Sequence, residues 1–185
     1  MGADWSGFES KMKKWFADVG TKGSGDVVEP NKDTGKTAKK IADEYEKAIM
    51  KGKAAVNGNP PMSYNKSALE KAMKGAFDML DADKTGASVP AAGALMGTGF
   101  VGFWTGGMFV PAKPSPGMMV GVTNVVQTPG APIPVSIPGP NEDPGSLAGA
   151  IAKAAKSHAG TIVGLHSGTT PPVTMPIAVP WVVLQ

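Results

Sequence analysis

Nine prolines fall between residues 111 and 144, and they decide what the second half of this chain can become. A helix interior tolerates almost no proline, because the ring removes an N–H and clashes with the preceding turn. A central strand loses a ladder hydrogen bond to it. The stretches PAKPSP and PGAPIPVSIPGP are therefore expected as extended loop, with one short strand at Val120–Val126 inside the run GMMVGVTNVVQT. The segment is also apolar and nearly free of charge, whereas disordered linkers are rich in charge. An apolar extended segment needs a surface to lie on.

Charge divides the chain in the same place. Residues 1–84 hold 15 Lys and 13 acids, while 85–185 hold only Lys113, Lys153, Lys156, Glu142 and Asp143. The net charge of +3 would be compatible with nucleic acid, but all 18 basic residues are Lys. Without Arg there is no bidentate contact to guanine or phosphate and no planar stacking group. The Lys residues sit among acids and read as a solvated helix surface, so no nucleic-acid partner is expected. Cysteine is absent, which removes disulfides and thiolate metal sites. His158 and His166 lie eight residues apart with no nearby carboxylate, short of a zinc ligand set. No secretory signal is read at the N-terminus, where MGADWSGFESKMKKWF carries acids and no apolar run behind them; its loose myristoylation pattern, Gly2 with Ser6, is read as chance.

The charged half predicts helices. In ADWSGFESKMKKWFADVG, Trp5, Phe8, Met12, Trp15, Phe16 and Val19 recur at helical spacing, with Ser6 and Glu9 as a capping box and Gly20 as a stop. So large an aromatic stripe must be covered by its own domain, another subunit or a membrane surface. After the glycine-rich TKGSGDVVEPNKD, the segment KTAKKIADEYEKAIMKG places Ala38, Ile41, Ala42, Tyr45, Ala48 and Ile49 on one side, with Gly52 ending it. A turn at GNPPMSYN leads to SALEKAMKGAFDMLDAD, with Leu69, Met73, Ala76, Phe77 and Leu80 inward and Ser67–Glu70 as a second capping box. The two form a helical hairpin.

Two motifs invite a ligand and fail on inspection. PNKDTGKT, residues 30–37, ends like a phosphate-binding loop, but Pro30 occupies the first glycine position and removes a donor from the cradle. Gly35 to Thr37 are better explained as a helix start, with Asp33 or Thr34 as the N-cap. Asp81, Asp83, Thr85 and Gly86 match the first half of a calcium loop, but position 12 is Ala92 instead of a bidentate Glu, and Pro90 interrupts. A polar helix end explains them better.

Residues 89–110, VPAAGALMGTGFVGFWTGGMFV, carry no charge and are long enough to span a bilayer. Their glycines leave little side-chain hydrophobicity, so the expectation is a buried, closely packed helix to about Trp104 and a turn at Gly106–Gly107. A further helix is expected in DPGSLAGAIAKAAKSHAG, with Asp143 as N-cap, Pro144 at the first helical position and Gly160 closing it. His158 lies in its last turn, where the helix dipole would favour a protonated ring, and a structural role is expected for it. The chain ends in two extended apolar stretches; Trp181 to Leu184 are expected to pair or dock, and Pro176 and Pro180 restrict them to edge pairing.

The stretches KTAKKIADEYEKAIMKG, SALEKAMKGAFDML, GTGFVGFWTGGMF and LAGAIAKAAKSHAGTIVGLH resemble the repeated helix pattern of small structural proteins of tailed-bacteriophage virions, over about residues 36 to 185. That resemblance implies a place in a tail, baseplate, neck or capsid surface and supplies no catalytic residue. The expected fold is mainly α: a small helical domain, built from a helical hairpin and packed Ala/Gly-rich helices, with extended Pro-rich, partly β segments and apolar terminal arms. Its expected parts are an aromatic arm (1–20), a linker (21–35), a helical body (36–110), the Pro-rich loop (111–144), an Ala-rich helix (145–160) and a C-terminal arm (161–185). One small core does not obviously bury every arm, and uncovered apolar surface signals a partner. The expectation is a non-enzymatic virion component, assembled in the host cytoplasm, without cofactor or metal. It would bind other virion proteins or its own copies through Trp5, Phe8, Trp15 and Phe16, through Trp104, and through Trp181, Val182, Val183 and Leu184. The alternatives are a membrane-active lysis or pore protein using residues 89–110, or a degenerate nucleotide- or calcium-binding protein.

Overall fold

The computed structural model describes residues 3–21, 33–52, 61–109, 120–139, 143–170 and 173–182. The protein is mainly helical. Among the described residues five helices, α1 (Trp5–Thr21), α2 (Thr34–Met50), α3 (Lys66–Ala82), α4 (Val89–Trp104) and α5 (Pro144–Ala159), accompany a smaller sheet of β1 (Pro61–Ser63), β2 (Met108–Phe109), β3 (Val120–Thr128), β4 (Val163–Thr170) and β5 (Val173–Val182). The expected linker residues 22–32 lie outside the described residues.

The helices pack in a closed ring, each against the next and α5 back against α1. Their shared interior holds Phe8 and Met12 of α1, Ile41, Tyr45 and Ile49 of α2, Leu69 and Met73 of α3, Met96, Phe100, Phe103 and Trp104 of α4, and Ile151 of α5. The aromatic N-terminal helix is therefore a wall of the body, where the sequence had suggested a separate arm. Tyr45 sits at the centre, with its ring 6.0 Å from that of Phe8, 5.1 Å from that of Phe100 and 4.9 Å from that of Phe103.

Local capping follows side-chain reach. Asp33 caps α2, accepting from the Lys36 N–H at 2.8 Å, and Asp143 caps α5, accepting from the Gly145 N–H at 3.2 Å. Two expected capping boxes are replaced by residues further upstream. Asp4 accepts from the Gly7 N–H at 2.8 Å, while Asn65 accepts from the Ala68 N–H at 3.1 Å and from the Ser67 hydroxyl at 2.9 Å. Ser6 and Ser67 thus lie inside their helices, each beside the true cap. Glu9 pairs with Lys13 at 2.6 Å instead of reaching back to the backbone.

The glycines of α4 decide how its neighbours approach. A Cβ on Gly99 would stand 2.8 Å from the Ala72 Cβ of α3, so the α3–α4 contact is closer than alanine allows. On another side, Cβ atoms at Gly93 and Gly97 would fall on the carbonyl oxygens of Val135 and Ile133. The Val135 N–H donates to Gly93 O at 3.0 Å, and Val135 itself is buried. The proline-rich segment after β3 is thus a strap laid in a backbone groove of α4. That groove is the surface such an apolar segment required. No described helix is long and apolar enough to cross a membrane, and α4 is part of the core.

The sheet is an antiparallel meander in the order β1-β2-β3-β4-β5. The α3–α4 pair is inserted between β1 and β2, and the strap with α5 lies between β3 and β4. β3 is longer than the short strand expected, and β1 with β2 was not foreseen. The principal contacts of β4 and β5 are with neighbouring strands.

Candidate functional site

The residues expected to bind partners divide sharply. Phe8, Phe16 and Trp104 are buried within their own chain, which corrects the expectation that they form a partner surface. The Trp104 Nε1–H donates to Tyr45 Oη at 2.8 Å. Burial pushes the Tyr45 hydroxyl well above the ordinary tyrosine range and keeps it protonated. Trp5 is half-buried, its ring 6.5 Å from Phe8 and 6.0 Å from Tyr45. Trp181 and Val182 occupy backbone positions at the end of β5. The side chain of Trp15, and Val183 with Leu184, fall outside the described residues.

Among the described residues neither ligand-like motif assembles a site; residues 30–32 of the first lie outside them. Gly35 to Thr37 form the first turn of α2, already capped by Asp33. The Asp83 carboxylate, on the calcium-like loop, accepts from the N–H groups of Thr85, Gly86 and Ser88 and from the Thr85 hydroxyl. The Ser88 N–H and the Thr85 hydroxyl hold its pKa well below the usual carboxylate range. Its oxygens tie α3 to α4. Among the described residues no group of three or more His, Asp or Glu could hold a metal.

A cleft of about 450 Å³ opens between the start of α1 and the end of α2, bordered by Tyr64. Its charges are matched in pairs. Asp4 meets Lys51 at 2.5 Å, Glu44 meets Lys47 at 2.7 Å and Lys11 at 3.6 Å, and Glu46 accepts from Lys66 at 2.7 Å and from the Tyr64 hydroxyl at 2.8 Å. Burial and the bond to Glu46 push the Tyr64 hydroxyl up to about 12. Partial burial works against the Lys66 charge, but hydrogen bonds to Asp43 and Glu46 outweigh it and raise its pKa. A charged ligand would have to break these pairs to bind.

The sheet offers a different surface. Its two outer strands are β1, three residues long, and β5, ten residues long. Proteins usually guard a long edge strand with lysine, a bulge or proline. Residues 161–185 contain no Lys, Asp or Glu. In the ladder, Pro176 stands opposite Thr169, and Pro180 opposite Leu165. A proline has no N–H to give β4, so both occupy the alternate positions whose backbone groups face away from it. Ala178 and Val182 share that alternation. The outer edge from 176 to 182 therefore presents every second carbonyl but only the N–H groups of Ala178 and Val182. The same alternation holds on β3, where the Val126 N–H turns away from β4 and donates to Gly107 O at 2.9 Å. The expectation that the C-terminal prolines confine this segment to edge pairing agrees with this register.

Comparison with protein-family models, with curated proteins and with solved structures found no match.

Proposed function

We propose that this protein is a non-enzymatic structural component of a larger assembly, and that it joins its neighbours by strand addition along β5. The bacteriophage virion is the class of particle its sequence resembles, so other virion proteins or further copies of the chain are the partners proposed. One observation carries the reading: β5, the longest described strand, forms an edge of the sheet with no charge on it, and its two prolines leave the outward N–H groups of Ala178 and Val182 free of any bond to β4. Main-chain hydrogen bonds supply affinity in strand addition, and the side chains of the incoming strand supply selection. The interior placement of Phe8, Phe16 and Trp104 moves the proposed interface away from the N-terminal helix and the core, toward the C-terminal strands.

The test is incorporation. A chain shortened after residue 172 loses β5, and the helical ring, which among the described residues has no principal contact with that strand, is expected to fold without it. Such a chain should keep its helical circular dichroism and be missing from purified assembled particles that contain the full chain. Incorporation at the full-length level would overturn the proposal.

A further inference from the structure

His158, in the last turn of α5, is fully buried and faces the strap. Its Nε2 lies 2.9 Å from Pro129 O. A carbonyl only accepts, so Nε2 carries the hydrogen and Nδ1 is left with a bare lone pair. Nδ1 is buried with no hydrogen-bond partner. The Phe100 ring of α4 stacks on the imidazole, with centroids 6.0 Å apart. Beside it the Ala131 N–H donates to Thr161 Oγ1 at 3.0 Å, and that hydroxyl donates to His158 O at 2.7 Å. Gly130, at φ 90°, turns the chain between these two bonds, and a Cβ there would stand 2.8 Å from His158 Nε2. The start of the strap is therefore held by one imidazole from the last turn of α5 and one hydroxyl two residues beyond that helix.

We propose that this contact is an acid-releasable clamp: protonating His158 puts a second N–H where no described acceptor lies, and the strap leaves the Gly93–Gly97 groove while the helices stay packed. Among the described residues the surroundings offer the new charge nothing. α4 contributes the apolar Phe100, and the strap contributes only the Pro129 carbonyl, already engaged. α1, which also packs on α5, brings Glu9 and Lys13 to Gly149, more than two turns away. Lys156 is on α5 itself, and no carboxylate or ammonium contributes to the shift of His158. Burial, opposed only by the Pro129 carbonyl, lowers its pKa from 6.5 to about 4.

The sign follows from linkage. A released ring takes up its proton near 6.5 and a clamped ring only near 4, so clamping is at full strength above 6.5 and weakens as the pH falls between these values. The weakening approaches about tenfold in the clamping equilibrium per pH unit. Opening bares the groove of α4 and frees the joint between sheet and helices. It also exposes the apolar residues Ile133 and Val135.

Amide hydrogen exchange on the intact chain between pH 7 and pH 4, corrected for the intrinsic pH dependence of exchange, tests this. Protection of Ala131 and Val135 is expected to fall steadily below pH 6.5, while Met73 and Ala76 of α3 keep theirs. No fall, or a fall in step with α3, would overturn the clamp. In His158→Gln, whose side-chain amide can donate to Pro129 O but does not titrate, strap protection should be flat with pH. A persisting acid response there would also overturn it. If that variant fails to fold, the imidazole resonances of the unmodified chain decide: the titration of His158, told from His166 with His166→Asn, must coincide with loss of strap protection.

Discussion

The Trp104 indole and the Tyr45 hydroxyl, 59 residues apart in sequence, meet at 2.8 Å inside the helical ring, joining α4 to α2 through a buried hydrogen bond. Tyr45→Phe keeps the ring contacts with Phe8, Phe100 and Phe103 but leaves the Trp104 N–H without its acceptor. A buried donor left unsatisfied costs about 1–3 kcal/mol. The denaturation midpoint in urea should fall accordingly with an unchanged slope, and no fall would mean that water or another group replaces the hydroxyl.

Glycine substitutions separate the groove from ordinary helix propensity. Glycine to alanine within a helix gains up to about 1 kcal/mol where space permits. At Gly75 the new methyl meets only the flexible end of Leu95, at 3.2 Å, so Gly75→Ala is expected to be neutral or stabilising. At Gly97 it lands on the Ile133 carbonyl, and backbone must move. Gly97→Ala should therefore lower stability by about 1–3 kcal/mol, the usual range for overpacking. Thermal melts of the two variants should shift in opposite directions, or only Gly97→Ala should shift.

The helices were legible because Ile41, Tyr45, Ala48 and Ile49, like Leu69, Met73 and Ala76, repeat at the spacing of one helical face. Their caps were less so. Asp4 and Asn65 each stand two residues before a serine that offers its own capping box, and only the phase of the folded helix chooses between them. An aromatic stripe states that Phe8 and Phe16 must be covered, but it carries no sign of whether the cover is the same chain. The pairing of Pro61 with Phe109 leaves no local trace at all, since each strand is too short to show alternation. The strap could be read as extended and apolar, and Gly97 and Gly99 as part of a close-packing surface, but nothing in sequence joins the two. As for the proposed interface, the edge position of β5 was readable from Pro176 and Pro180; the uncharged run to Trp104 was readable as a buried helix, and its burial contradicts only the further expectation that Trp104 meets a partner.

Asp83 gives a prediction with a pH sign. Its carboxylate holds the turn between α3 and α4 through four hydrogen bonds from Thr85, Gly86 and Ser88, and its pKa lies below the ordinary value of 3.8. A depressed carboxylate pKa contributes stability that is complete above 3.8 and is lost as pH falls through the folded value. Asp83→Ala should thus lower the melting temperature at pH 7 and flatten its decline in strong acid. Because both oxygens are already committed to backbone and hydroxyl donors, millimolar Ca²⁺ should leave the melting temperature of the unmodified chain unchanged. A clear rise with Ca²⁺ would show that the loop gives up these bonds for the ion.

The edge of β5 makes the sharpest demand on the assembly proposal. Between Pro176 and Pro180 the outward N–H of Ala178 is the remaining donor, so Ala178→Pro would leave Val182 as the only outward donor from 176 to 182. The substitution removes no bond to β4, because position 178 already faces away from it. Thermal stability should therefore change little, while co-purification with assembled particles, or a multimer of the 18.9 kDa chain seen by light scattering, should weaken strongly. The reverse change, Pro176→Val with Pro180→Val, restores two donors to an uncharged edge and should produce concentration-dependent aggregation, as unguarded edges do. If Ala178→Pro assembles normally and the double variant stays dispersed, strand addition at β5 is not how this protein meets its neighbours.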